Sequence, residues 1–114
     1  MRKRADPALI DDIAEAIRRI ERYTADMTFD AFLADTRTQD AVVRNLEIIG
    51  EAVKGLSAEF RKGRHTVQWS EIAGMRDRLI HHYAGVNWEI VWDVVQTKLP
   101  ALRVALEGDD ASDS

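Results

Sequence analysis

The chain has 114 residues, 46% of them apolar and 32% charged, and a formal net charge of −4. That is the size and balance of one globular domain with a single core. There is no cysteine, which excludes disulfides and thiolate metal sites and gives no sign of an oxidising compartment.

The opening stretch "MRKRADPALIDD" is basic like a secretion signal, but Asp11 and Asp12 interrupt any apolar segment. No apolar run approaches the roughly 18 residues that a membrane span needs. A cytoplasmic protein with no membrane association is therefore expected. Charge is unevenly spread. Residues 1–53 carry 8 basic and 11 acidic side chains, and residues 84–114 carry 2 and 6. Between them, residues 54–83 carry 6 basic side chains against 3 acidic, together with His65, His81 and His82. A local basic patch on an acidic protein attracts phosphates while the remainder limits indiscriminate binding. Small imbalances between segments are also ordinary, so charge alone leaves both readings open.

Asp6-Pro7 reads as an N-cap followed by proline at the first helical position. Ile10, Ile13, Ile17 and Ile20 then recur at helical spacing and predict a first helix over about 7–25. Thr28 can cap a short turn, "FDAFLAD", whose Phe29, Phe32 and Leu33 are placed to cover the core. Val42, Leu46, Ile49, Val53 and Leu56 form one stripe and predict a second helix over about 38–56. Gly55 lies where glycine often ends helices. "SAEFRKGRHTVQ" is the most loop-like interior stretch, with room for one turn after Ser57. Ile72, Met75, Leu79 and Tyr83 mark a third helix from Trp69 to a point before Gly85. Asn87 reads as the next N-cap, with Val86 and Val91 placed as a hydrophobic staple. Val91, Val95, Leu99, Leu102 and Leu106 mark a fourth helix, which Pro100 is expected to kink or break. Residues 1–106 therefore read as one all-α helical-bundle domain. Residues 107–114 read as an acidic, disordered tail. A bundle this small often buries surplus apolar surface by dimerising. Of Trp69, Trp88 and Trp92, most are expected in the core and one or two at a dimer seam.

The third helix concentrates the chemistry in "GMRDRLIHHYAGVNW". Arg76 and Tyr83 are seven residues apart and nearly eclipsed. Asp77 and His81 are four apart on one face, where a carboxylate can fix an imidazole tautomer and stabilise its cation. His82 instead has Arg78 four residues before it, which opposes protonation. That geometry favours His81 over His82 as the working histidine without settling it. Arg76 and His81 differ by about 140° in direction on an ideal helix. One site can use both if the last turn deviates, if the arginine reaches round, or if a symmetric dimer pairs two copies of the helix. Gly50 and Gly74 lie inside predicted helices at a cost of about 1 kcal/mol each relative to alanine. That predicts a close approach to the backbone there, by a neighbouring helix or a dimer partner.

An Arg-His pair needs no metal to cleave RNA, because RNA carries its own 2′-OH nucleophile. Histidine moves the protons and the guanidinium holds the phosphate and its developing charge. The same residues also fit a purely structural role. An Asp-His pair four residues apart is usually a surface helix pair, Arg76 could pair with Glu51 or Glu71, and Tyr83 could be packing. Metal binding has little support: His81 and His82 are neighbours, His65 is loop-borne, and there is no His-x3-His. No glycine-rich phosphate loop is present either.

These residues resemble a known family. "RDRLIHHY", that is Arg76, four residues, His81, one residue and Tyr83, is similar to the signature of HepT-type toxins of the HEPN superfamily. "TQDAVVRNLEIIGEAVKGLS" (38–57) resembles the family's Ile-Gly-Glu-Ala helix. "WSEIAGMRDRLIHHYAGVNWEIVWDVV" (69–95) resembles its Trp, Gly-Met-Arg, His-x-Tyr and Val-x-Trp pattern. The resemblance runs over about residues 6–106. It implies a HEPN bundle of four to five helices, a homodimer, and a ribonucleolytic groove at the dimer interface that works without a cofactor. It makes Arg76 and His81 the catalytic pair and gives Asp77 the polar position that commonly follows the arginine; Asp77, Glu51, Arg78 and His82 are read as supporting residues. It makes Tyr83 the site at which a partner antitoxin, a minimal nucleotidyltransferase of MntA type, adds AMP groups from ATP. Each added nucleotide would put bulk and negative charge near Arg76 and compete with RNA. His82 departs from the family pattern, where the position is often acidic or small, and leaves the general base open. The family also holds members whose nuclease activity is doubtful. A non-catalytic HEPN module that binds a nucleotide or a nucleotidyltransferase is therefore the alternative, and a plain dimerising helical adapter is a third reading.

Overall fold

The computed structural model describes residues 5–81 and 85–107, with the side chains of Arg76, Ile80 and His81 left out. Seven α-helices follow one another among these residues: α1 (Asp6–Thr24), α2 (Phe29–Leu33), α3 (Thr36–Gly55), α4 (Ala58–Lys62), α5 (Trp69–His81), α6 (Trp88–Asp93) and α7 (Leu99–Glu107). A single π-helical turn, Val94–Lys98, joins α6 to α7. No described residue is in a strand, so the expected all-α class is observed.

The long helix α3 is the centre of the bundle, packed along α1 on one side and α5 on the other. The isoleucine stripe of α1 explains this: Ile13, Ile17 and Ile20 are wholly buried. They face Val42, Leu46, Ile49 and Val53 of α3, which are also wholly buried. Burying each such side chain contributes about 1.5–3 kcal/mol. Gly55, the last residue of α3, makes room for α1, because a Cβ there would stand 3.1 Å from Leu9 Cδ1. Leu99 and Leu102 bring α7 into the same core.

The helix ends show which local signals operated. Thr28 caps α2 by accepting from the Ala31 N–H at 3.1 Å, and Ser57 caps α4 by accepting from the Phe60 N–H at 3.1 Å. Asn87 accepts from the N–H groups of both Glu89 and Ile90 at the start of α6. Asp6 behaves differently from expectation. It is the first helical residue and Ala5 stands at the N-cap without a side-chain bond. The Asp6 carboxylate instead accepts from Ser57 N–H at 2.9 Å and Ser57 Oγ at 2.6 Å. A contact across 51 residues of sequence thus fastens the start of α1 to the start of α4.

Two more expectations change. Phe32 is wholly buried and stacks against Trp88 and Trp92, with ring centroids 5.8 and 5.0 Å away, but Leu33 is 45% exposed and covers nothing. The fourth helix does not stop at Pro100. Leu99 N–H donates to the Val94 carbonyl five residues back, a widened turn directly before the proline. Proline lacks an N–H and its ring crowds the carbonyl four residues earlier. The π turn absorbs that demand upstream, and the helix continues. The stripe Val91, Val95, Leu99, Leu102 and Leu106 is buried throughout. The predicted tail lies, from residue 108 onward, outside the described residues.

Candidate active site on the fifth helix

Helix α5 is anchored at its start by Trp69, which is 8% exposed. Its indole Nε1 donates to the carbonyls of Arg61 and Arg64, at 3.2 and 3.0 Å. Met75 and Leu79, four residues apart, bury the face that lies on the core. The second half of this helix carries Arg76 and His81. Their backbone is helical; their side chains, and all of His82 and Tyr83, lie outside the described residues. The predicted Asp77–His81 pairing and the role of His82 therefore stay as expectations.

Asp77 has a partner the sequence did not advertise. Lys54 of α3 reaches its carboxylate, with Nζ 3.2 Å from Oδ1 and 3.4 Å from Oδ2. Both side chains are about half exposed, so the pair stabilises the fold by less than about 1 kcal/mol. A carboxylate shared with an ammonium group stabilises a neighbouring imidazolium less than a carboxylate held alone. Glu51 is exposed on α3, one turn before Lys54. Arg78 is exposed and lines a mostly apolar cavity of about 280 Å³ with Met75, Leu79, Val86 and Ile90, between α5 and the start of α6.

The basic segment divides by role. Arg64 is structural: its Nε donates to the Ala105 carbonyl of α7 at 2.8 Å, and its guanidinium lies 3.9 Å over the Phe60 ring. Lys54 is engaged by Asp77. Arg61, Lys62 and His65 instead line an open groove beside the start of α5. Lys54 and this groove were missed as site features because only the packing of α3 and α4 against α5 brings them there. The segment's net charge was the one available signal.

Gly74 corrects one expectation. A Cβ built there meets nothing within 4 Å, so no neighbouring helix of the described chain requires the glycine. Gly50 is buried in α3. Two carboxyl groups away from this helix have lowered pKa values. Asp35 is held below the ordinary carboxylate range by the Thr38 N–H and hydroxyl at the N-terminus of α3. Glu15 is lowered by hydrogen bonds from Arg18 and then Arg19 on the surface of α1. Among the described residues, no group of three His, Asp or Glu side chains is arranged to hold a metal ion. No described helix is long and apolar enough to cross a membrane.

No solved structure matches the chain significantly. Sequence relatives are close. "Probable ribonuclease HepT" of Thermococcus cleftensis is 44% identical over 105 residues, covering 92% of this chain and 96% of that protein. A protein named as an RNase by inference, MJ0127 of Methanocaldococcus jannaschii, is 50% identical over 100 residues, 88% of this chain and 83% of its own. A third, TTE0752 of Caldanaerobacter subterraneus, also named as an RNase by inference, is 50% identical over 84 residues, 74% of each chain. The family model described as "Ribonuclease HepT-like" matches residues 13–108, a span that includes α3, α5 and the Arg76–Tyr83 signature. With that match, and an all-α bundle that sets the Arg-x4-His helix against the Gly-Glu helix, the chain belongs to the HepT-like ribonuclease family of the HEPN superfamily.

Proposed function

We propose that this protein is the toxin of a toxin–antitoxin pair, an endoribonuclease that cuts RNA without a metal at a homodimer interface. Family membership carries the reading: the matched span contains the whole Arg76, His81 and Tyr83 signature. The packing of α5 along α3 supports it, because it sets Lys54 of α3 on Asp77, which lies within the signature.

The chemistry follows from the residue types. The 2′-oxygen of the substrate attacks the adjacent phosphorus as His81 removes its proton. The bond to the 5′ oxygen breaks, that oxygen receives a proton, and a 2′,3′-cyclic phosphate and a 5′-hydroxyl end result. Arg76 holds the phosphate and stabilises the extra negative charge of the crowded intermediate. Asp77 orients the imidazole under the restraint of Lys54. Glu51, Arg78 and His82 adjust the local charge. AMP addition at Tyr83 by a partner nucleotidyltransferase would place phosphate beside Arg76 and close the site to RNA.

The test is induction of the wild-type chain without its partner beside His81→Ala and Arg76→Ala, scoring growth and RNA integrity. The expected result is growth arrest with RNA cleavage in the wild type only, and folded protein in all three. Co-expression with a nucleotidyltransferase encoded nearby should add AMP masses that Tyr83→Phe abolishes. Complex formation without cleavage by the wild type would refute the nuclease reading and leave a non-catalytic HEPN module.

A further inference from the structure

We infer that the groove beside the start of α5 is a second RNA contact, a subsite that holds the phosphodiester backbone at a distance from the cutting site. This rests on the nuclease reading above. The groove has a volume of about 680 Å³, lies open to solvent, and is lined by Arg61, Lys62, His65, Gln68, Ser70 and Glu71. Lys62, His65, Gln68 and Ser70 are exposed. They offer an ammonium, an imidazole, an amide and a hydroxyl, the donor set that phosphate and ribose oxygens accept from.

Three observations favour RNA backbone here. First, the Arg61 side chain has no hydrogen-bond partner among the described residues, even at its buried Nε, so its guanidinium is not committed to a carbonyl as that of Arg64 is. Second, the groove's one carboxylate, Glu71, is within reach of the Gln68 amide at 2.6 Å once that amide is turned to its better orientation. Its charge is thus partly met at the rim. Third, the groove's tryptophan offers no open ring face for a base. Trp69 is buried and its indole N–H is committed to the carbonyls of Arg61 and Arg64. Contact with the backbone and not with bases positions a strand without reading its sequence. The groove also lies on the correct helix. Trp69 and Arg76 are seven residues apart on α5, a rise of about 10 Å. A strand held at the cutting site can therefore run on toward Arg61 and Lys62.

The probe is a 2′-O-methyl RNA 12-mer, which binds but lacks the attacking hydroxyl. Its binding to the full chain is measured as a function of salt, for the wild type, Arg61→Ala/Lys62→Ala, and the exposed single variant Lys62→Glu. Circular dichroism verifies the fold of each. Loss of two phosphate contacts should lower the slope of log K against log salt by about 1.4, and weaken binding about 20-fold at 0.1 M salt. Lys62→Glu, which disturbs no buried group, should weaken binding by at least about fivefold. Base preference across oligomers of different sequence should not change. An unchanged slope and affinity in both variants overturns the subsite, as does a wild type that does not bind the probe. Variants that bind RNA normally but lose a protein partner would also overturn it, identifying the groove as a protein-docking surface. Failure of the nuclease reading looks different: the wild type binds the 2′-O-methyl oligomer yet leaves the ordinary RNA oligomer whole.

Discussion

Replacing Gly74 with alanine separates two origins for a glycine inside a helix. In the described chain the new Cβ meets nothing within 4 Å. No clash then opposes the gain in helix propensity, and the substitution should stabilise the folded protomer by about 1 kcal/mol. For a domain of this length that raises the melting temperature by about 4 °C. If the glycine is there because a second copy packs on α5, the same methyl should weaken the dimer. Urea unfolding at high dilution, where the chain is monomeric, reads the first effect. Sedimentation equilibrium at higher concentration reads the second. The expected pair of results is a more stable monomer and a weaker dimer. A loss of stability at high dilution would refute the reasoning, since it would mean the protomer itself crowds Gly74. A more stable monomer with an unchanged dimer would remove Gly74 from the interface.

Phe32→Ala, which removes a wholly buried ring from between Trp88 and Trp92, should cost about 3–5 kcal/mol in denaturant unfolding. Asp6→Ala breaks the carboxylate bonds to Ser57 N–H and Oγ and should cost about 1–3 kcal/mol, with faster amide exchange at the start of α4. Lys54→Met should change stability by less than about 1 kcal/mol; under the proposed pairing of Asp77 with His81 it should also raise the apparent pKa of cleavage activity. An unchanged pH profile would remove Lys54 as a positioning residue. For Asp35 and Glu15, each pKa is lowered in the folded chain from ordinary values of 3.8 and 4.5. Their contribution is therefore present above those values and is lost as pH falls through the lower folded ones. Acid titration of Asp35→Asn should show a weaker loss of stability in that window than the wild type.

The long helices were legible because each one's burial is written in its own periodicity. The stripes of α1 and α3 and the leucine stripe of α7 needed no partner to be recognised, since spacing of three and four residues marks one face. The caps at Thr28 and Asn87 were legible for the same reason: a cap bonds within three residues of itself. The Arg-x4-His signature also lies within one helix, so its spacing could be read directly.

What the sequence could not fix was every contact whose partners are far apart in the chain. Asp6 reads locally as a cap, yet its carboxylate binds Ser57, because the packing of α1 on α3 delivers that donor. Lys54 reads as one more basic residue until α3 lies against α5 and sets it on Asp77. Arg64 adds to the basic count but is held by the Ala105 carbonyl and Phe60. Pro100 signals a disturbance, and only the surrounding core decides that a π turn, not a break, absorbs it. Local spacing determines which residues form helices and which face each buries. Which charges meet, and which remain at the surface, depends on how those helices pack.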